Sequence, residues 1–287
     1  MKKIILLVFT LLTGIISTDA QKNDNSLLWK ISGNGLSQES YLYGTFHLLC
    51  PDDIQISDKV TKAFEASGQL VLELDMDDPS IMPAIQQSMV FTDGTTAKDY
   101  LNESEYKLVA GFFNDSLGLP FEKLQVIKPF FLSSMTVLHF LGCQPASFEQ
   151  GLIKLANEQE IEVKGLETVE EQVSFINNLS METQKKMLLE NLEKYDSSKI
   201  MFNKMVDYYM NEQLEQINAI SEEYMSDDYA DMKEEMLIKR NENWIQDIRE
   251  LITHQSTFIA VGAGHLPGEK GVIDLLRKAG YTVEPVH

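Results

Sequence analysis

The stretch Phe258-Ile-Ala-Val-Gly262-Ala-Gly264-His265-Leu-Pro-Gly268 reads as a short apolar strand that stops at a glycine turn carrying a histidine. Near the other end of the chain, Tyr41-Leu-Tyr-Gly44-Thr-Phe-His47 does the same. Each is a strand ending in Gly-x-x-His, so each histidine is expected at the carboxyl edge of a sheet, where open α/β sheets place their ligands. Glycine at such a turn lets the backbone bend sharply and lets another group come close. Two matched stretches point to one site assembled from both ends of the chain.

A third piece is Leu70-Val-Leu-Glu73-Leu-Asp75. A carboxylate inside an apolar run needs a partner, because an unpaired buried charge is costly. Glu73 can be read as a metal ligand or general base beside His47 and His265. It can equally be read as a structural ion-pair partner, for example of Arg240. Asp75 falls two residues further on, on the same face if the strand stays extended, and is read as a support for Glu73.

Working outward, Leu28 to Ile31 and Tyr41 to Tyr43 are strand-like, and Ser32-Gly-Asn-Gly35 between them supplies hairpin chemistry. A helix follows from Ile56 to Phe64 and a strand from Leu70. That order predicts a parallel pair joined by a right-handed crossover. The carboxyl end repeats it: strand 257–261, glycine turn, a helix ending at Gly280, and a last strand from Tyr281. The expected fold is α/β, with two pseudo-repeated α/β halves that each carry a Gly-x-x-His motif and a large helical insertion between them, over about residues 79–250. Within the insertion, Phe130 to Leu141 reads as a buried apolar helix and Ile161 to Leu166 as a strand. The whole of residues 21–287 is read as one domain.

The chain has 287 residues, a formal net charge of −20 and a pI of about 4.6. Phosphate binding needs clustered Lys and Arg, so nucleic acid is not an expected partner. Residues 1–20 read as a cleavable secretory signal: Lys2 and Lys3, an apolar run from Ile4 to Ile16, and Ser17-Thr-Asp-Ala20 as the cleavage end. No later segment is apolar enough to span a membrane. The expected location is outside the cytoplasm, periplasmic or extracellular. The cysteines are Cys50 and Cys143. In an oxidising compartment they permit one disulfide; the other reading is two separate buried thiols.

Two chemistries fit two histidines and a glutamate. With a divalent metal the trio could hold the ion and activate water. Without one, a histidine paired with Glu73 could act as general base. There is no His-Glu-x-x-His and no Gly-x-Ser-x-Gly, and the glycines from 262 to 268 have the wrong spacing for a dinucleotide fingerprint. The remaining histidines have plainer contexts: His139 lies in an apolar helix, His254 at a helix end, and His287 is the last residue.

Gly44-Thr-Phe-His47, Leu72-Glu73-Leu-Asp75, Gly165-Leu-Glu167-Thr168 with Glu171-Gln172, Lys239-Arg240-Asn241, and Val261-Gly-Ala-Gly-His265-Leu-Pro-Gly268 together resemble the TraB/GumN family, which also contains PrgY-like and Tiki proteins. The resemblance covers about residues 27–286. It implies that His47, Glu73 and His265 converge on one site. Tiki members are divalent-metal-dependent proteases, which implies manganese or cobalt as the ion and a peptide or exported protein as the substrate. More distant erythromycin-esterase-like hydrolases work without metal, and PrgY-like members reduce the activity of peptide pheromones. The resemblance therefore leaves a metal-independent hydrolase and a non-catalytic peptide-binding protein as alternatives. Family members often carry Asp where Ser147-Phe-Glu149-Gln-Gly has Glu149. Glu149, Glu167, Arg240 and Asn241 are given supporting places around the trio. The sequence does not settle the oligomeric state.

Overall fold

The computed structural model describes residues 25–225 and 229–287; the signal-peptide reading of residues 1–20 lies outside the described residues. Six strands form one mixed sheet: β1 (Leu28–Ser32), β2 (Ser40–Thr45), β3 (Gln69–Leu72), β4 (Glu162–Gly165), β5 (Thr257–Gly262) and β6 (Thr282–Pro285). Their order across the sheet is β4-β3-β5-β2-β1-β6. The hairpin forms with Leu28 opposite Tyr43, and β6 pairs with the free side of β1. Both of those ladders are antiparallel, whereas β2 with β5, β3 with β5, and β3 with β4 run parallel.

The expected pairing of β2 with β3 is corrected in one respect. The two strands run in the same direction but are not neighbours, because β5 lies between them. All six residues of β5 and all four of β3 are buried. A strand that is buried on both faces and paired on both edges gives no local cue to its neighbours. The two ends of the chain therefore interleave in one sheet instead of standing side by side as separate halves.

The main core packs both faces of this sheet. It includes Leu28, Trp29, Leu42, Leu70, Val71, Phe258, Ile259 and Val261, with Phe64 and Leu152 from covering helices. Between β3 and β5 the chain is helical apart from β4 and builds two satellite cores. One centres on Val109, Phe113, Phe121 and Leu132, the other on Phe175, Ile176, Met187 and Met232. The helix Pro129–Leu141 buries Leu132, Ser133, Thr136 and Phe140, while Phe130 and Phe131 stay half-buried. A disulfide joins Cys50 to Cys143 at the far end of that helix. Among the described residues, no helix is long and apolar enough to cross a membrane.

Candidate active site

Four neighbouring parallel strands each deliver one titratable side chain just beyond their carboxyl ends. In spatial order β4, β3, β5 and β2 lead to Glu167, Glu73, His265 and His47. β3 stops at Leu72, so Glu73 is not inside the strand but at its exit. Register does the rest: Gly44 lies opposite Val261 and Thr45 opposite Gly262, which sets the two Gly-x-x-His turns side by side.

The two turns use their first glycines differently. A β-carbon on Gly44 would come within 2.8 Å of the Leu266 side chain and 3.1 Å of the Ala263 backbone, so this glycine lets the turns pack together. A β-carbon on Gly262 would lie 3.2 Å from His47 Nε2, 3.4 Å from Glu73 Oε1 and 3.5 Å from His265 Cδ2. The missing side chain at 262 is thus the space on which the three groups converge.

Glu73 is buried and held from several sides. Its Oε1 accepts the Gly262 N–H at 2.8 Å, its Oε2 accepts Arg240 Nη2 at 2.5 Å, and Gln172 Nε2 approaches Oε2 at 3.4 Å. Burial alone would raise the pKa of this carboxyl. The His47 hydrogen bond, with the charges of Arg240 and His47, outweighs it and holds the value well below 4.5.

Both imidazoles turn Nε2 toward Glu73 Oε1, at 3.6 Å for His47 and 3.8 Å for His265. Each also has its Nδ1 against an oxygen acceptor. His47 Nδ1 meets Glu149 Oε1 at 2.8 Å, and His265 Nδ1 meets Asn241 Oδ1 at 2.6 Å. Arg240 Nη1 lies 3.3 Å from His265 Nε2. Guanidinium can only donate, so Nε2 is the acceptor and the proton of His265 is on Nδ1. An oxygen behind Nδ1 keeps the Nδ1 proton in place and turns Nε2 to the cleft, as in metal-binding histidines, although here Arg240 donates to Nε2 of His265.

The two rings differ in charge. His265 is buried against Trp244, with ring centroids 4.6 Å apart. Burial, with Arg240 nearby, pulls its pKa down from 6.5 to about 3 despite Glu73, so it is neutral. His47 leaves 56% of its side chain exposed although both nitrogens face carboxylates. Burial of those nitrogens opposes charge, but hydrogen bonds to Glu149 and Glu73 prevail and raise its pKa well above 6.5.

The helix Lys239–His254 supports this arrangement, following a π-helical turn over Glu234–Ile238. Arg240 spans Glu73 and Glu167, reaching Glu167 Oε1 at 2.5 Å through Nη2. Trp244, one turn on, donates from Nε1 to Glu167 Oε2 at 3.2 Å and lies under the Arg240 guanidinium. Asn241 also donates to the Lys270 carbonyl, which anchors the turn beyond His265. Glu149, in the first turn of the helix Phe148–Glu158, accepts Thr45 Oγ1 at 2.5 Å as well as His47. Its Oε2 is buried with no partner. Asp75 is placed elsewhere. It faces Asp77, Asp78 and Glu162, and burial together with Asp77 raises its pKa to about 6.

Thr45, Gln172, Trp244 and the Gly262 N–H are site groups to which the sequence reading assigns no role, although Thr45, Gln172 and Gly262 stand within its motifs. For Trp244 the i, i+4 spacing from Arg240 was an available signal. For Thr45 there was none, because its partner Glu149 is 104 residues away in the chain.

Two imidazole nitrogens and a carboxylate oxygen form a donor set suited to first-row divalent ions. Their separations of 3.6 and 3.8 Å compare with about 3.4 Å for two ligands of a tetrahedral ion bound at about 2.1 Å. Among the described residues, no group of three or more His, Cys, Asp or Glu side chains is placed so that it could hold a metal ion as it stands. The set is open, with Arg240 on one side and the Gly262 space on the other. Its charge favours a cation, since three carboxylates stand here against Arg240, which pairs with Glu73 and Glu167, and His47, which pairs with Glu149. The donor types, rather than their present placement, suit a divalent ion, and His47 would have to give up its proton to bind one.

The profile of the TraB/PrgY/gumN family matches residues 27–285. Among curated proteins the chain is similar to Metalloprotease TIKI2 of Danio rerio, at 24% identity over 324 residues, which is 92% of this chain and 62% of that protein. It is also similar to Metalloprotease TIKI1 of Xenopus tropicalis, 25% identical over 92% of this chain and 62% of that protein. Metalloprotease TIKI1 of Homo sapiens is 24% identical over 93% of this chain and 64% of its own length. The chain thus spans less than two thirds of these relatives. No solved structure matches it.

Proposed function

The chain belongs to the TraB/PrgY/gumN family, and from that premise we propose that it is an exported hydrolase, a divalent-metal-dependent peptidase whose site is His47, His265 and Glu73. One observation carries the reading: both histidines aim Nε2 at the same Glu73 oxygen while an oxygen acceptor holds each Nδ1. The name metalloprotease on the distant relatives points the same way. Manganese or cobalt is the proposed ion, and a peptide or exported protein the proposed substrate.

His47, Glu73 and His265 would be the residues to hold a divalent ion, which would supply Lewis acidity for a peptide carbonyl and a water molecule. The chain's own groups do the rest. The His47 hydrogen bond and Arg240 keep Glu73 ionised, so its carboxylate is an acceptor at neutral pH. Asn241 and Trp244 fix the neutral His265 ring with Nε2 outward. Glu149 holds the Nδ1 proton of His47, which leaves His47 Nε2 as the atom that gains or loses a proton at the cleft. Export rests on the reading of residues 1–20, and the Cys50–Cys143 disulfide supports it, since such bonds persist in oxidising compartments.

The test is digestion of peptides by the purified chain with Mn²⁺ or Co²⁺ and with chelator. Cleavage is expected with metal and is expected to be lost in His47→Ala and in His265→Ala; undiminished cleavage by both variants would sink the reading. A second reading, hydrolysis without metal, is favoured by the Arg240 contact with His265 Nε2 at 3.3 Å, where a fixed cation already serves the site. Cleavage that persists in chelator selects it.

A further inference from the structure

Beside the titratable cluster lies a cavity of about 390 Å³. His47, Glu73, Glu149 and Arg240 line its polar end. Its remaining wall is almost wholly apolar, with Ile85, Phe130, Phe131, Val173 and Met236 the chief contributors. These five are half-buried. Phe130, Phe131, Val173 and Met236 pack on the satellite core of Phe175, Ile176 and Met232, so the wall is a built surface and not a set of stray exposed side chains.

On the peptidase reading above, we infer that this cavity is the specificity pocket, and that it takes one bulky apolar side chain, such as Phe, Leu or Met, next to the scissile bond. The volume falls at the small end of ligand cavities, about 300–1,000 Å³. That is room for a side chain and its adjoining backbone. The wall offers no free charge: Arg240 is committed to Glu73 and Glu167, and Lys residues do not line it. The carboxylates of Glu73 and Glu149 stand only at the polar end beside the histidines, so a basic head lying along the apolar wall would be desolvated without a partner. An acidic one would meet Glu73 and Glu149 at the polar end, within a protein of net charge −20. Phe and Met side chains on the wall adapt to aromatic and thioether guests alike. The pocket is assembled from Ile85, from the helix Pro129–Leu141, from the helix Val169–Asn178 and from the π-helical turn that carries Met236. Substrate choice therefore resides in the helical segment between β3 and β5, while the chemistry resides in the sheet.

The experiment uses a set of peptides identical except for one position, occupied by Phe, Leu, Ala, Asp or Lys. Cleavage is measured with Mn²⁺, and binding is measured separately by fluorescence anisotropy in chelator. The Phe and Leu peptides are expected to exceed the Ala peptide by tenfold or more in kcat/KM or in affinity, about the discrimination an apolar pocket achieves. Phe131→Ala is expected to erase that ratio. Ile85→Trp, which fills the cavity, is expected to invert it, so the result does not depend on one variant folding well. Cleavage of all five peptides at equal rates overturns the pocket and leaves the peptidase reading standing. Absence of cleavage with tight, Phe131-dependent binding of the Phe peptide keeps the pocket and removes the peptidase. Absence of both cleavage and selective binding overturns both.

Discussion

At the scale of single residues, the two histidines are opposites. His47 sits between two carboxylates and binds its proton tightly; His265, buried with Arg240 at its Nε2, does not. Their linkage to stability has opposite signs. His47 is raised above 6.5, so its stabilising effect is complete below that pH and is lost as pH rises through its folded value. His265 is lowered to about 3, so the unfolded chain takes up a proton below 6.5 that the folded chain refuses. Stability is therefore lost as pH falls from 6.5 toward 3, and the depressed Glu73 adds to the loss below 4.5. The metal-free protein should be most stable near pH 6.5, as followed by urea unfolding in chelator, and His47→Gln should flatten only the alkaline side. A stability that climbs steadily through neutrality would refute this assignment. Both Gly-x-x-His histidines were legible in the sequence, because a glycine turn after an apolar strand has a local signature. Glu73 was legible as a carboxylate needing a partner, and Arg240 as one candidate, which the structure places on its Oε2. The Gly262 N–H comes from a position 189 residues away, and no local pattern records such a contact.

At the scale of elements, the site is a property of strand order. β5 enters between β2 and β3, and only then do Glu73, His265 and His47 meet. The sequence predicted the strands and turns but paired β2 directly with β3, because chain order favours sequential neighbours and an inserted strand leaves no trace in either of them. The glycines divide the work of this junction and can be tested separately. Gly44→Ala pushes a methyl into Leu266 and the Ala263 backbone, and should cost about 1–3 kcal/mol of stability as overpacking. Gly262→Ala meets only side-chain atoms, and His47 has room to move. It should cost under about 1 kcal/mol yet weaken metal binding at least about tenfold by filling the shared space. Thermal unfolding and metal titration of the two variants distinguish these outcomes, and equal destabilisation by both would contradict them.

At the scale of the molecule, sheet and helical segment are stitched together beside His47. Cys50 bonds to Cys143, Leu49 and Ala146 exchange both backbone hydrogen bonds at 3.0 and 2.9 Å, and Thr45 and His47 reach Glu149. The bond closes a loop spanning 93 residues of sequence separation, for which about 2–4 kcal/mol is the usual gain. Replacing both cysteines by Ala should lower urea stability by about that amount and should loosen His47 before His265, which the Lys239–His254 helix holds independently. Hydrogen exchange near residues 45–50 reads the difference. All of these elements serve one claim, that the ends of the chain build a site for a divalent cation. The most direct measurement is calorimetric titration of Mn²⁺ into the purified metal-free chain near neutral pH, in buffers of different ionisation enthalpy. The result expected is one ion per chain with release of about one proton, that of His47, and no binding by His265→Ala. An absence of binding, or binding unchanged in both His47→Ala and His265→Ala, would contradict the account.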